Sequence, residues 1–293
     1  MKSNMFKLLI TSIFISILAV SCTAPIELHT NDAEPVIVIY GCLTDETTWQ
    51  SVRITSSSPY FDEKQNSPVS DAKVVIRSSD DQIVELKEES NGVYQTVEEM
   101  TVIPGVTYYL NVEVDFDHDG MVETYEASTT MPPPYSLDSI SIEAINIMGY
   151  KHYALNMYGI EEPSSDFYLC RIIFNDSISK AQISNYMAFS DLGMNDVYIN
   201  GLTLTYFEAE DEENPWNENV EGLLYVAPGD KIGLCISRIE EGYYNFIWQC
   251  QKEQNGENPF FGGPASNITT NISNGGVGYF TSFATSVSVA YVP

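Results

Sequence analysis

One acidic segment has the residue types and the spacing of a cation site. The run DFDHDG places Asp115, Asp117 and Asp119 at alternate positions, and Glu126 follows Gly120 after five residues. This order fits the calcium-loop pattern D-x-D-x-D-G-x5-E. Alternate carboxylates in a tight loop converge on one hard cation, and a later glutamate binds with both oxygens. The sequence therefore predicts a structural calcium ion and no cofactor that catalysis would require.

The segments around this loop indicate strands, so the helices of an EF-hand are not expected. Residues 107–114 and 122–129 read as the two arms of a hairpin. In a hairpin, Glu126 lies further along the strand than the loop, which makes the three aspartates the firmer ligand predictions. The alternative is a metal-free hairpin tip, because Asp119-Gly120 is a strong turn pair.

The other reactive side chains form no catalytic pattern. The histidines His29, His118 and His152 lie in unrelated contexts, and the chain contains no G-x-S-x-G, no H-E-x-x-H and no phosphate-binding glycine loop. No C-x-x-C occurs either. The sequence therefore predicts a protein that is not an enzyme. Spacing does not choose between disulfides and buried free thiols for four of the cysteines: Cys42, Cys170, Cys235 and Cys250.

The first half of the body consists of short strands with polar turns between them. The strands are predicted at 36–43, 50–55, 69–77, 83–86, 92–96, 107–114 and 122–129. Strands at this spacing favour a β-sandwich of the Ig-like or carboxypeptidase-regulatory-like type over residues 34–131. Three consecutive prolines then predict a stiff linker at residues 132–136.

Residues 137–293 are predicted as a second β-rich domain that carries one prominent helix. The helix is expected at about 238–254, because Ser237 and Glu240 form a capping box ahead of apolar residues at helical spacing. Residues 258–278 are predicted as an ordered loop and residues 287–292 as a closing strand. The fold class is therefore mainly β, with two modules.

The N-terminus has the form of a lipoprotein signal peptide. Lys2 and Lys7 precede an apolar run that ends at Ser21-Cys22. A basic start, a short apolar stretch and a small-residue junction define a secretory leader. The sequence predicts cleavage after residue 21, acyl chains on Cys22 that hold the protein on a membrane, and a polar tether at residues 22–33.

The charge of the chain is extreme. The net charge is −28, and loss of Lys2 and Lys7, the only charged residues of the leader, makes it −30. A body this anionic is repelled by nucleic acid, so nucleic-acid binding is excluded. The acidic run near residues 208–213 leads to Trp216, which is either part of a solvated loop or an anchor for a partner.

Several segments occur in an order that resembles a known family. They are IYGCLTDE (39–46), SSPYF (57–61), PVSDAKV (68–74), GVY (92–94), PGVTYYL (104–110), ASTTMP (127–132), NPF (258–260) and NISNGGVGYF (271–280). Together they resemble a Bacteroidetes outer-membrane lipoprotein family, domain of unknown function 4249, over nearly the whole mature chain.

The resemblance implies a lipid-anchored protein of the outer membrane, often encoded beside TonB-dependent receptors. It implies an accessory binding or docking subunit that meets a TonB-dependent outer-membrane β-barrel. The family supplies no catalytic residues, and the sequence does not decide between the periplasmic and the cell-surface face. The alternatives are a surface adhesin or structural lipoprotein and, less favoured, a glycan-active hydrolase.

Overall fold

The computed structural model describes residues 34–58, 66–164, 166–179, 182–190, 196–210, 224–254 and 268–293. The predicted leader, Cys22 and Trp216 lie outside these residues, as does the tether at 22–33. Within the described residues, no helix is long and apolar enough to cross a membrane.

The first half of the chain forms most of one eight-stranded sheet, called the first sheet. Its order is β16-β1-β2-β5-β4-β3-β6-β7. Its strands alternate inward and outward side chains, as β1 shows with a strictly alternating burial pattern. The bounds are β1 Ile37–Thr44, β2 Ser51–Ser56, β3 Lys73–Ser78, β4 Ile83–Ser90, β5 Val93–Thr96, β6 Thr107–Val114, β7 Glu123–Thr130 and β16 Val277–Phe283.

The two edge strands of the first sheet approach each other. The Asn271 side chain donates to the carbonyl oxygens of Ser128 and Phe280 and accepts from the Phe280 amide. The Ser273 amide donates to the Glu126 carbonyl. The sheet therefore curls around one apolar core, the first core, which includes Ile39, Leu110 and Phe280.

Two further sheets form the remainder of the β structure. The second sheet has the order β11-β10-β15-β17, with β12 also paired to β10, and the third sheet has the order β14-β13-β9-β8. The bounds are β8 Ser136–Ile147, β9 Tyr150–Glu161, β10 Phe167–Phe174, β11 Ser177–Ile178, β12 Met187–Ser190, β13 Val197–Ala209, β14 Tyr225–Val226, β15 Lys231–Ile239 and β17 Thr285–Tyr291. Their facing side chains, among them Leu155, Tyr168, Phe207 and Leu234, form the second core.

One helix, α1 (Glu241–Gln254), packs on the other face of the second sheet. Its Tyr243, Phe246 and Ile247 contact Leu169 of β10 and Phe283 of β16. We call this cluster the third core. Tyr40 and Cys42 of β1 border it, so both faces of β1 contact apolar side chains. A single 3₁₀ turn, Ile183–Asn185, precedes β12.

The mainly β fold with a prominent helix is confirmed, but two local predictions were wrong. Ser237 does not cap the helix, because residues 231–239 continue as β15 and Ile239 pairs with Phe167. Pairing with two neighbouring strands outweighs the local capping signal. The loop predicted to residue 278 ends earlier, since residues 277 and 278 are the first two of β16, which pairs in parallel with β1; residues 258–267 of that prediction lie outside the described residues. The first sheet therefore includes a strand from near the C-terminus, and the division at residues 132–136 stays a prediction.

Candidate metal centre

The acidic loop lies at the tip of the β6–β7 hairpin. Val114 and Glu123 are the last paired residues of the two strands. The turn needs left-handed backbone at His118 (φ 60°) and at Gly120 (φ 89°). Phe116 packs against the first core and fixes the loop to the sheet. The predicted hairpin is therefore present, with the loop at residues 115–122.

Three carboxylates converge in this loop. Oxygens of Asp115, Asp117 and Glu123 lie within 4.8 Å of one another. Backbone amides also bind them: Gly120 donates to Asp115 Oδ2 at 3.1 Å, and Phe116 donates to Glu123 Oε2 at 2.8 Å. Asp115 Oδ1 is buried and has no hydrogen-bond partner. The loop thus has an all-oxygen donor set, the chemistry that calcium prefers.

The predicted ligand set is only partly assembled. Asp115 and Asp117 come together, whereas Asp119 accepts a hydrogen bond from the Met121 amide at 2.7 Å and lies outside the group. Glu126 is exposed on β7, three residues beyond Glu123 and opposite Asn111. At about 3.3 Å per residue, that is roughly 10 Å from the start of the strand. Glu123, which was not predicted from the sequence, is the glutamate that joins Asp115 and Asp117 in place of Glu126. The signal that could have identified it is its position in the pair that closes the hairpin, opposite Val114.

His152 is buried in the third sheet. Its Nε2 lies 3.1 Å from Glu208 Oε2, and its Nδ1 lies 2.9 Å from the Tyr150 carbonyl oxygen. Glu208 sits directly opposite it on β13. Both ring nitrogens are therefore occupied by partners within the sheet, and the arrangement is that of a cross-strand pair.

A buried arginine organises the end of the second sheet. The Arg238 side chain is 5% exposed and contacts Glu162 and Asp166, each at 3.3 Å. Burial alone would lower the pKa of Arg238, but Asp166, Tyr168 and Glu162 outweigh burial and raise it. The Tyr168 hydroxyl donates to the buried Glu161 carboxylate. Burial, reinforced by Glu161, raises the pKa of Tyr168, so this hydroxyl stays protonated.

The four cysteines named above are free thiols. Burial raises the pKa of Cys42 to about 12 and that of Cys250 to about 11. Burial likewise raises the pKa of Cys170 and Cys235. Because the thiolate is the reactive form, these side chains behave as small apolar groups and not as nucleophiles.

A cavity of about 190 Å³ lies between β10 and β13, with Cys170, Tyr186 and Tyr206 among its lining residues. Ligand pockets usually have volumes of about 300–1,000 Å³. The cavity is thus smaller than a typical ligand pocket, and it lies on different strands from the carboxylates of the β6–β7 loop.

The family model described as "Domain of unknown function (DUF4249)" matches residues 23–288. The chain belongs to this family. The match begins directly after Cys22, so the predicted leader precedes the matched region. The resemblance carried by the ordered segments is thereby confirmed at the level of the family.

Other comparisons add little. No curated protein matches the chain. Among solved structures, the crystal structure of a mutant of Salmonella alpha-2-macroglobulin covers 72% of this chain at 9% identity and a TM-score of 0.23. The match spans only 14% of that structure's chain. A likeness at this TM-score carries no argument about function.

Proposed function

We propose that this chain is an outer-membrane lipoprotein, anchored through Cys22, that acts without enzymatic activity as an accessory binding or docking subunit of a TonB-dependent transport system. The leader and the Ser21-Cys22 junction support the anchor. A structural calcium ion in the β6–β7 loop is part of the proposal. Its role would be to stiffen the hairpin, with Asp115, Asp117 and Glu123 as ligands.

An apolar row on the outer face of the second sheet supports the docking role. Val289 of β17, Gly233 of β15, Ile173 of β10 and Ile178 of β11 lie in register across the four strands. A Cβ atom placed on Gly233 would lie 3.0 Å from Ile173 Cβ and 3.3 Å from Val289 Cγ1, so these two side chains meet over the glycine.

The row is open to solvent although its members are apolar. Val289 is 48% exposed and Ile178 is 44% exposed. On the same face of β17, Val287 and Tyr291 are 52% and 64% exposed. Contiguous exposed apolar surface on a soluble body marks an interaction site. Because the protein carries a high negative charge, an anionic partner that binds at the apolar row meets less charge repulsion there than on the acidic remainder of the surface.

The test is recovery of partners from detergent-solubilised membranes. A tagged full-length chain is expected to recover a TonB-dependent β-barrel in stoichiometric amount. The double variant Val287→Asp, Val289→Asp is expected to lose it, because two carboxylates then enter the contact. Both side chains are about half exposed, so the fold is expected to persist.

Val97→Asp is the matched control. Val97 is 59% exposed but follows β5 of the first sheet, away from the row. Its substitution is expected to leave barrel recovery unchanged. Failure of the unmodified chain to recover any barrel would contradict the docking role, and equal recovery by the double variant would remove the row from it.

A second candidate, a surface adhesin, is favoured by the outer face of the third sheet. Tyr198, Tyr206 and Tyr225 are 49%, 52% and 46% exposed there. Thr203 is exposed on the same face, and its hydroxyl donates at 2.6 Å to the buried Asn156. Exposed aromatic rings beside a hydroxyl group suit the stacking and hydrogen bonding of sugars. Glycan-array binding that disappears in Tyr206→Ala would favour this candidate over barrel docking.

A further inference from the structure

Two apolar side chains project from the tip of the β6–β7 hairpin. Met121 is 67% exposed and Val122 is 64% exposed. The turn does not need them, because His118 and Gly120 supply the left-handed backbone. In the same loop, Phe116 packs inward against the first core. The hairpin thus has an inward apolar anchor and an outward apolar tip.

This tip lies at the end of the first sheet where β1 begins. Strands β1, β7 and β16 run in the same direction, so their first residues share one end of the sheet. A Cβ atom placed on Gly276 would lie 3.3 Å from Ile37 Cγ2 and 3.2 Å from Tyr125 Cδ1. Ile37 is the first residue of β1, and Tyr125 is the third residue of β7. The start of the described body and the hairpin tip are therefore neighbours.

The length of the preceding chain limits how far this end lies from the anchor. Twelve residues, 22–33, separate the leader from Glu34. Fully extended, they span at most about 43 Å, and as a flexible coil their root-mean-square span is about 20 Å. The chain enters β1 at the end of the first sheet that carries Met121 and Val122, and a segment of this length is short enough for that end to reach a membrane to which Cys22 is anchored.

The negative charge around the hairpin tip favours a zwitterionic lipid surface over an anionic one. Asp115, Asp117, Asp119 and Glu123 all lie in or beside the loop. An anionic bilayer would repel this cluster, whereas zwitterionic headgroups would not. The transfer of methionine and valine side chains from water to the acyl boundary of a bilayer is favourable in free energy.

We propose that Met121 and Val122 insert into the surface of a zwitterionic bilayer and orient the anchored protein with the β6–β7 hairpin against the membrane. This inference rests on the proposed anchoring at Cys22. We expect a lipid surface as the partner of this tip, because the chain that precedes β1 leads from this end of the sheet to Cys22.

The experiment places an environment-sensitive fluorophore at the tip. Full-length Val122→Cys protein, expressed with its own leader, is extracted, labelled and reconstituted into phosphatidylethanolamine–phosphatidylcholine vesicles. Cys250→Ser is added because Cys250 is only half-buried. The fluorophore at 122 is expected to emit at shorter wavelength and to lose intensity to nitroxide-labelled lipid.

The matched control carries the fluorophore at Val97→Cys. Val97 is 59% exposed and directly follows the last residue of β5, at the end of the first sheet opposite to the β6–β7 tip. Its emission is expected to stay that of an aqueous group. Mass spectrometry of residue 22 is recorded on the same sample. If Cys22 is acylated and the two fluorophores are equally aqueous, the inference is overturned and the anchor stands. If Cys22 carries no acyl chain, the anchor and the inference that rests on it are both overturned.

Discussion

The interiors of the first sheet and of the sandwich formed by the second and third sheets differ in polarity. Among the described residues, the buried polar side chains in and beside the first sheet are uncharged: Gln50, Ser78, Thr96, Thr129, Thr281 and Ser282. The sandwich buries the charged side chains of Arg238 and Glu161 and the titratable His152. Both regions are mainly antiparallel β structure with apolar cores, so the difference lies in which polar side chains they enclose.

The two regions of this β protein are therefore stabilised in different ways. The first sheet depends mainly on apolar burial, which needs no ionised partner. The sandwich depends in addition on buried charges, each of which is costly when its partner is removed. Mutations should therefore act by cavity formation in the first region and by loss of charge compensation in the second.

The largest expected effect is in the first core. Phe280 is fully buried, and its ring fills the space beside Gly41, where a Cβ atom would lie 2.9 Å from it. Phe280→Ala should reduce the free energy of unfolding by about 3–5 kcal/mol, because a large cavity remains. Urea unfolding would measure this loss. A loss below about 1 kcal/mol would mean that β16 is dispensable for the first core.

The second prediction removes a buried charge from the sandwich. Arg238→Ala should cost about 3 kcal/mol, because the largely buried carboxylate of Asp166 then loses the guanidinium that compensates its charge. This is the lower end of the usual range, since Glu162 is 43% exposed and water screens it. Urea unfolding at low and high salt would measure the loss.

Lys73→Ala in the first region is the matched control for Arg238→Ala. Lys73 and Glu113 form an ion pair at 3.0 Å, but their side chains are 57% and 36% exposed. Its removal should cost about 0–1 kcal/mol. Equal losses from the two substitutions would erase the contrast between the two regions.

The strands of the first sheet could be predicted well because one face of each is buried. In β6, for example, Tyr108, Leu110 and Val112 point inward at every second position. The sequence of β1 is a continuous apolar run, which is typical of a strand buried on both faces, and its Tyr40 and Cys42 border the third core. Local alternation carries this information because its period is that of the strand.

What the sequence did not reveal depends on contacts between distant segments. β16 pairs with β1, from which it is separated by more than 200 residues of sequence. The glycines within residues 275–278 favoured a loop at the point where β16 begins. In the acidic loop, Asp115 and Asp117 were predicted as neighbours, whereas Glu123 joins them only because it closes the hairpin opposite Val114. A motif fitted by residue spacing pointed to Glu126, since helical and hairpin loops place the later glutamate differently.

The third prediction concerns calcium in the acidic β6–β7 loop, where carboxylates cluster at the edge of the otherwise uncharged first core. If the loop binds with the millimolar to tenth-millimolar affinity of extracellular modules, 10 mM calcium stabilises the protein by roughly 1.4–2.7 kcal/mol. The melting temperature should then rise by about 2–4 °C per kcal/mol. Asp117→Asn and Glu123→Gln should remove the rise, whereas Glu126→Gln, on the exposed face of β7, should keep it. A melting temperature indifferent to both calcium and EDTA would exclude the site.

The smallest expected effect is a pH dependence at the third core, where the two regions meet. The Tyr40 and Tyr243 hydroxyls are hydrogen-bonded at 2.7 Å. Burial raises the pKa of both tyrosines far above the ordinary value of 10. They stay protonated in the folded protein, while the unfolded chain ionises near pH 10. Their contribution to stability is therefore complete below about pH 9 and is lost as pH rises beyond it.

The double variant Tyr40→Phe, Tyr243→Phe isolates this contribution. At pH 10 half of the unfolded hydroxyls are ionised, which costs the unmodified protein about 0.4 kcal/mol per tyrosine, or roughly 0.8 kcal/mol for the pair. Urea unfolding at pH 7 and pH 10 should show the variant losing less stability by that amount. Tyr291→Phe, whose side chain is 64% exposed, is the control for removal of a tyrosine hydroxyl outside the third core. Parallel losses in the double variant and the unmodified protein would place the alkaline sensitivity in other buried tyrosines, such as Tyr108 of the first core, whose pKa is also raised by burial.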